Sequence, residues 1–396
     1  MSRPSTPFIR GFAYSLLATF ALDRVLKLAA ITHFFHSDTP QPSRIWPTVT
    51  LLQPITRGAS GLANNLRSRT QLDYPGHLEH LFICDVHDEV SQKACTSLMA
   101  ELPDLDAQLL LVDAIQGPIA AKTEKLLAAL PRARGEILWF VDDDIALRPD
   151  ALRIMIPYLF QPQVGAVFGL ACYTNWQTLW SSLMSIFVNA NALLSYIPLT
   201  YLADPFTITG HCFALRREIF QRAGGLTAME ERIDDDHELA RRVRHLGLRC
   251  VQTPMIYDVN NELSSRTAYT KQMKRWFIFP RQAMAPYLTL REQGVTLLGS
   301  ITQLIPALLA LLALFTWKRP AFQALITSLG LFGAIYALGE ICYLQRRTPA
   351  SRWPLLPIVA LLAPLQVLWS LAASPEIEWR GQRWRILRGG KMEVLS

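Results

Sequence analysis

Short apolar runs alternate with amphipathic stretches over much of the chain, and long uncharged runs fill its last quarter. From Pro47 onward, residues 49–52, 80–84, 109–112 and 137–141 read as strands, built from leucine, β-branched and aromatic residues. Between them, 61–71, 91–102 and 122–130 carry helical spacing. This alternation predicts an α/β fold around a mostly parallel, doubly wound sheet. Ligands of such sheets bind outside the carboxyl ends of the strands. There the chain places the turn Gln53-Pro54-Ile55-Thr56-Arg57-Gly58, the acidic run Asp85 to Glu89, and the triplet Asp142-Asp143-Asp144.

The flanking segments follow a different pattern. Residues 8–35 are apolar but interrupted by Asp23, Arg24 and Lys27. The uninterrupted part falls short of the roughly 20 residues a span requires, so 1–35 reads as a marginal membrane anchor or an interfacial helix. No small-residue cleavage site marks it as a removed signal peptide. Residues 36–46, with Pro40 and Pro42, read as a linker. Further on, 295–315, 321–344 and 353–373 are each long enough to cross a bilayer, Glu340 being the one charge inside them. A tail, 374–396, carries Arg380, Arg383, Arg385, Arg388 and Lys391, which favours the cytoplasm. Three simple spans would put that tail on the side opposite the α/β domain. The segment with Pro354, Pro357 and Pro364 is therefore the candidate for a re-entrant element. Residues 176–202 are aromatic and apolar but contain Asn189 and Asn191, as in an amphipathic membrane-contacting segment or a core helix pair.

Composition narrows the partners. The 396 residues are 51% hydrophobic with a net charge of +7; the mean hydropathy of +0.18 is high for a soluble enzyme. A basic surface suits an anionic membrane or a nucleotide, and no nucleic-acid-binding motif accompanies the charge. The six cysteines contain no CxxC pair, which argues against zinc and a disulfide framework and favours a reducing compartment.

Four features can carry chemistry. Asp142 and Asp144 project to one side of an extended chain about 7 Å apart, suiting a nucleotide and a hard cation bridging its phosphates. The spacing of glycine and glutamate excludes an EF-hand, and neither GxxxxGK nor GxGxxG is present. The run 207–217 reads as a strand in which Gly210, beside His211 and Cys212, permits close approach of a ligand. A second acidic cluster, Asp234-Asp235-Asp236-His237-Glu238, opens a helix over 239–245. Asp234 is expected to cap it, leaving a sharper role for one of the next two. On a following helix Gln272 shares a face with Arg275 or Trp276, suited to a diphosphate or a sugar.

The order of these pieces, with the matching stretches 52–75, 117–150, 209–225 and 235–276 and the terminal Trp379-Arg380-Gly381, resembles the family-2-type glycosyltransferases. The nearest likeness is to the ceramide glucosyltransferase family, including bacterial relatives associated with hopanoid lipids. The resemblance implies a GT-A-like domain over 47–280, transmembrane helices within 295–373, and an integral membrane protein of a bacterial inner membrane whose domain faces the cytoplasm. It implies an inverting transfer of one glucose or N-acetylglucosamine from a UDP-sugar to a lipid hydroxyl. Asp236 falls on the catalytic base. Pro54, Asp88 or Glu89, Lys122, Asp142, Asp143, Gln272, Arg275 and Trp276 fall on the donor side, and Gly210, His211 and Cys212 on the acceptor side. Asp144 and Asp142 fall on the ligands of Mg²⁺ or Mn²⁺. The family's Lys-Pro-Leu-Lys-Gly turn is altered to Gln53–Gly58, and Ala120, Glu124 and Lys125 stand where asparagines are expected. A processive polysaccharide synthase shares the same acids, and a non-catalytic membrane binding or transport protein is the reading from a different class. An intact base argues against the latter.

Overall fold

The computed structural model describes residues 6–41, 46–56, 61–113, 121–229, 231–232, 234–379 and 382–395. Arg57, Gly58, residues 117–120, Arg380 and Gly381, named above, lie outside them. A long helix, α1 (Thr6–His36), leads into the expected alternation: β1 (Val49–Pro54), α2 (Leu62–Thr70), β2 (Leu78–Asp85), α3 (Glu89–Glu101), β3 (Ala107–Val112), α4 (Ala121–Ala129), β4 (Ile137–Val141). Then come β5 (Ile145–Leu147), α5 (Ala151–Leu159), β6 (Val164–Tyr173), α6 (Leu179–Asn191), α7 (Ile197–Thr200), β7 (Cys212–Arg216) and α8 (Arg217–Arg222). The domain closes with α9 (Asp235–His245), β8 (Arg249–Val259) and α10 (Arg266–Phe279).

The strands form one eight-stranded sheet in the order β3-β2-β1-β4-β7-β6-β8-β5. β4 is apolar throughout because both its faces are covered: Ile137, Trp139 and Val141 enter one core, Leu138 and Phe140 the other. The four strands from β3 to β4 are parallel, as are β6 and β8, so the sheet is mostly parallel as expected. β5 runs antiparallel to β8 at the edge of the sheet, and the departure inside it is β7. It is antiparallel to both β4 and β6, and it covers only the second half of the predicted strand 207–217, with Gly210 and His211 in the loop before it. The cause is the connection. After β6 the chain stays at the carboxyl end of the sheet through α6 and α7, makes no crossover, and re-enters beside Val141 running backwards.

Beyond the domain lie α11 (Leu290–Ile301), α12 (Ile305–Thr316), α13 (Arg319–Leu338), α14 (Leu355–Ala372), β9 (Glu376–Trp379), β10 (Gln382–Ile386) and β11 (Met392–Leu395). Among the described residues four helical stretches are long and apolar enough to cross a membrane: Leu179–Thr200, Leu290–Thr316, Arg319–Leu344 and Leu355–Ala372. α1 is not among them. Its Arg24 and Lys27 are buried rather than set at an interface: Lys27 donates to the Gly299 carbonyl at 2.8 Å, and Arg24 pairs with Asp23 at 2.8 Å.

Side-chain contacts fix where each helix begins and ends. α11 starts at the domain, where Glu292 pairs with Arg244, and α12 leads away to Trp317. α13 returns beside α1, with Tyr14 meeting Gln323 at one end and Thr32 meeting Tyr343 at the other. Near its end, Arg148 bonds both Asp258 (3.0 Å) and the Leu344 carbonyl (2.7 Å). α14 then starts at the domain, where Arg352 donates to the Trp176 carbonyl at 2.9 Å, and finishes there too, where Arg281 donates to the Leu371 carbonyl. The basic tail is a three-stranded antiparallel sheet, β11-β10-β9, packed on Ile278 of α10.

One buried side chain ties α6 to the sheet. Asn189 accepts from the Tyr173 N–H at 2.7 Å and donates to its carbonyl at 3.0 Å. Asn189→Leu would leave both buried backbone groups unpaired, and each such loss costs about 1–3 kcal/mol. The variant is expected to melt several degrees below the parent in detergent, measured by thermal unfolding; an unchanged melting temperature would refute the role.

Candidate active site

The Asp142–Asp144 turn is held from below by α2. Leu62, Asn65, Leu66 and Arg69 are all buried on one face of that helix, at helical spacing that carries two polar groups inward. Arg69 is fully buried and donates to the Asp142 carbonyl, the Ile145 carbonyl at 3.2 Å and Gln53 Oε1 at 2.8 Å. Asn65 donates to the Asp143 carbonyl at 2.9 Å. Burial lowers the Arg69 guanidinium to about 10, so it stays charged at neutral pH.

The three carboxylates point to different tasks. Asp143, expected on the donor side, is 7% exposed. Its Oδ2 accepts from the Thr56 N–H at 2.5 Å and its hydroxyl at 2.9 Å, so it locks the loop after β1 and does not face an open crevice. Asp142 pairs with Lys122 at 2.7 Å. Asp144 has a buried Oδ1 with no hydrogen-bond partner. Burial, reinforced by the charges of Asp142 and Asp143, raises its carboxyl to about 7. An orphaned oxygen beside a second carboxylate fits a hard divalent cation, which takes oxygen ligands. Among the described residues no three acidic, histidine or cysteine side chains close a cage, so such a cation would need further oxygens from water or a bound phosphate.

Across the crevice, α9 presents its acidic first turn. Asp236 accepts from the His237 N–H at 2.7 Å and the Gly210 N–H at 3.1 Å. A Cβ at Gly210 would lie 2.7 Å from Asp236 Oδ2, so only glycine permits that approach. Lys122 spans the gap: it pairs with Asp142, stands 3.9 Å from Asp235 and donates to the Gly210 carbonyl at 2.8 Å. Burial alone would lower the Lys122 pKa, but Asp142 and Asp235 outweigh it and hold the ammonium charged. Asp236 goes the other way: burial and the Asp235 charge raise it to about 7. Asp234 pairs instead with Arg232 at 2.8 Å, away from the crevice.

The remaining expected residues divide. Trp276 meets Tyr173 edge-on at 6.0 Å, and Tyr173 meets His211 at 6.5 Å. Arg275 donates to Gln272 Oε1 at 2.8 Å, one turn back. Burial lowers the His211 pKa, keeping the ring neutral, and its Nδ1 is buried without a partner. Pro54 ends β1 inside the sheet. Cys212 was expected on the acceptor side, but its side chain is fully buried in the core, because strand alternation turns it away from the crevice. Of the two candidates after β2, Asp88 caps α3, accepting from the Ser91 N–H at 3.2 Å, while Glu89 is exposed. Asp85, at the strand end itself and buried, was passed over, as were Arg69, Thr56 and Lys125, which donates to the Ile55 carbonyl. The polar pair on the apolar face of α2 is the signal that could have revealed Arg69.

A model described as glycosyl transferase family 21 matches residues 11–392. Among solved structures, a mannosyltransferase from Pyrobaculum calidifontis, in complex with GDP-Man and Mn²⁺, superposes with a TM-score of 0.52 at 20% identity, over 91% of this chain and 99% of that one. That likeness is one of fold, and the sheet described above is GT-A-like. GalNAc-T7 with UDP, GalNAc and Mn²⁺ is more distant, with a TM-score of 0.43 and 11% identity over 66% of this chain and 57% of that one. A curated relative, the uncharacterized protein y4gI of Sinorhizobium fredii (strain NBRC 101917 / NGR234), is 27% identical over 154 residues, or 35% of this chain. The match spans 17% of that relative's length.

Arg69→Met keeps the bulk of the side chain but leaves the carbonyls of Asp142 and Ile145 without their donor. The expected loss is about 2–4 kcal/mol of stability, from the 1–3 kcal/mol each unpaired group costs, read from denaturant unfolding. A loss under about 0.5 kcal/mol would show that the turn holds itself.

Proposed function

Because this chain belongs to glycosyl transferase family 21, we propose that it moves a single sugar, glucose or N-acetylglucosamine, from UDP to the hydroxyl of a ceramide- or hopanoid-type membrane lipid. The observation that carries this reading is the Asp236 carboxylate. It is anchored by two backbone N–H groups, faces the Lys122–Asp142 pair and is raised to about 7, the range suited to a general base.

In this mechanism Asp236 takes the proton of the acceptor hydroxyl as its oxygen attacks the anomeric carbon from the face opposite UDP. One base without a separate nucleophile gives a single displacement with inversion. Lys122 and Arg275 supply positive charge towards the diphosphate, and the Trp276 ring supplies an apolar wall for the sugar. Asp142 and Asp144 would hold Mg²⁺ or Mn²⁺, which when bound neutralises charge on the departing diphosphate.

The lipid acceptor is supported by the layer under the crevice. α14 starts and ends at the domain, and its Ile358, Leu362, Leu365 and Trp369 are exposed at helical spacing. A helix returning to the side it left lies along a leaflet rather than across it. α11–α12 and α13 then form a hairpin through the bilayer, the Pro-rich segment does not cross it, and the tail stays with the domain on the cytoplasmic side. A hydroxyl at the membrane surface is reached without lifting the acyl chains into water, which would cost about 0.8 kcal/mol per CH₂ exposed.

Asp236→Asn is expected to lower transfer at least a thousandfold while donor affinity stays within a few-fold, measured with labelled UDP-sugar; full activity would remove the assignment. In the parent, kcat/KM should fall below about pH 7 as Asp236 becomes protonated, and a profile flat to pH 5 would contradict the base. Chelation should stop turnover and Mg²⁺ or Mn²⁺ restore it. With mixed host lipids the label should enter organic solvent as a glycolipid, whereas label in a long water-soluble polymer would favour the processive alternative.

A further inference from the structure

The C-terminal segment, in sequence only a run of basic residues, touches both elements that flank the crevice. On one side, Ile377, Trp384, Ile386 and Met392 pack on Ile278 of α10, and Glu378 pairs with Lys271 at 2.7 Å. α10 is the helix that carries Gln272, Arg275 and Trp276. On the other side, the same sheet meets the loop that enters α9. Lys391 bridges Arg232 in antiparallel β fashion, Met392 N–H donates to the Glu231 carbonyl at 3.0 Å, and Lys391 stands 3.5 Å from Glu231. Arg232 is buried and grips both Asp234, at 3.1 and 2.8 Å, and Glu238, at 3.5 Å. Asp235 and Asp236 lie between those two acids.

The contact is close enough to demand a particular residue. Gly390 has φ +89°, and a Cβ there would fall 2.4 Å from Asp234 Oδ1 and 2.8 Å from Arg232 Nη2. Gly389 is also left-handed, with φ +98°, and its N–H donates to the Gln282 carbonyl at 2.7 Å, just past α10. Both glycines therefore sit where the turn fits between the α9 entrance and the end of α10.

We infer that the C-terminal sheet is a brace that sets the position of Asp236 against α10, with Gly390 and Arg232 as positioning residues. The inference rests on reading Asp236 as the base. The brace touches neither the Asp142–Asp144 turn nor Lys122 among its described contacts, so loosening it should impair transfer more than donor binding.

The test compares three full-length or near-full-length proteins in the labelled-donor assay: the parent, Gly390→Ala, and a chain ending at Ala373. Gly390→Ala is expected to lower kcat at least tenfold with the donor KM within threefold of the parent. The shortened chain should show the same split, and a synthetic peptide of residues 374–396 should restore at least a third of its kcat. Donor binding, followed directly, controls for folding of both variants. Parent-like kcat in the shortened chain would overturn the brace, as would loss of donor binding in parallel with kcat that the peptide does not relieve. An inactive Asp236→Asn beside a fully active shortened chain would sink the brace and leave the base reading standing. An active Asp236→Asn would sink the base reading instead.

Discussion

Four carboxylates, Asp142, Asp144, Asp235 and Asp236, converge on one crevice, with Asp143 turned inward beside them, and the structure depends on how their mutual repulsion is contained. Two buried cations do most of that work. Arg69 reaches the triplet from beneath through its backbone carbonyls, and Lys122 stands between the triplet and α9. The containment is incomplete by design of the charge count: Asp144 and Asp236 are both pushed towards neutrality. An excess of buried negative charge is a cost to the empty protein. It is also what makes the crevice receptive to a cation on one side and a proton on the other.

The antiparallel β7 follows from the same requirement. Its preceding loop must deliver Gly210 to Lys122 and Asp236 at once, which it can do only if the chain re-enters the sheet at the carboxyl end. The excursion that makes this possible, α6 and α7, lies against the apolar helices, with Ile186, Leu193 and Ile197 sharing a core with Leu309, Phe332 and Val359. The Gly210 loop and the segment packed on the apolar helices are thus consecutive parts of one connection.

α14 and the terminal sheet complete the arrangement from the other side. Tyr269 of α10 bonds Gln366 of α14 at 3.0 Å, so the helix bearing Gln272, Arg275 and Trp276 is packed between the domain, the layer of apolar helices and the tail. A chain whose last residues return to its first domain closes its contacts in a ring, and movement of any one member is felt by its neighbours.

Much of this was legible in residue order. The short apolar runs and the amphipathic stretches between them placed β1 to β4 and the intervening helices, because a strand covered on both faces must be continuously apolar and a helix covered on one face must be striped. The acidic triplet at the end of β4 and the acids opening α9 followed from the same patterns, since strand ends and helix starts are marked locally. Other features required the folded chain. Whether β7 runs up or down depends on the path of a connection, which no local pattern records. Asp143 and Cys212 stand beside residues of the crevice yet face inward, because a one-residue step turns a side chain to the opposite face. Arg69 was missed because its partners, on Gln53, Asp142 and Ile145, belong to other elements. The tail read only as a basic segment favouring the cytoplasm because its charges are local, whereas the contacts that order it, to Ile278, Arg232 and Asp234, are made with residues far away in the sequence.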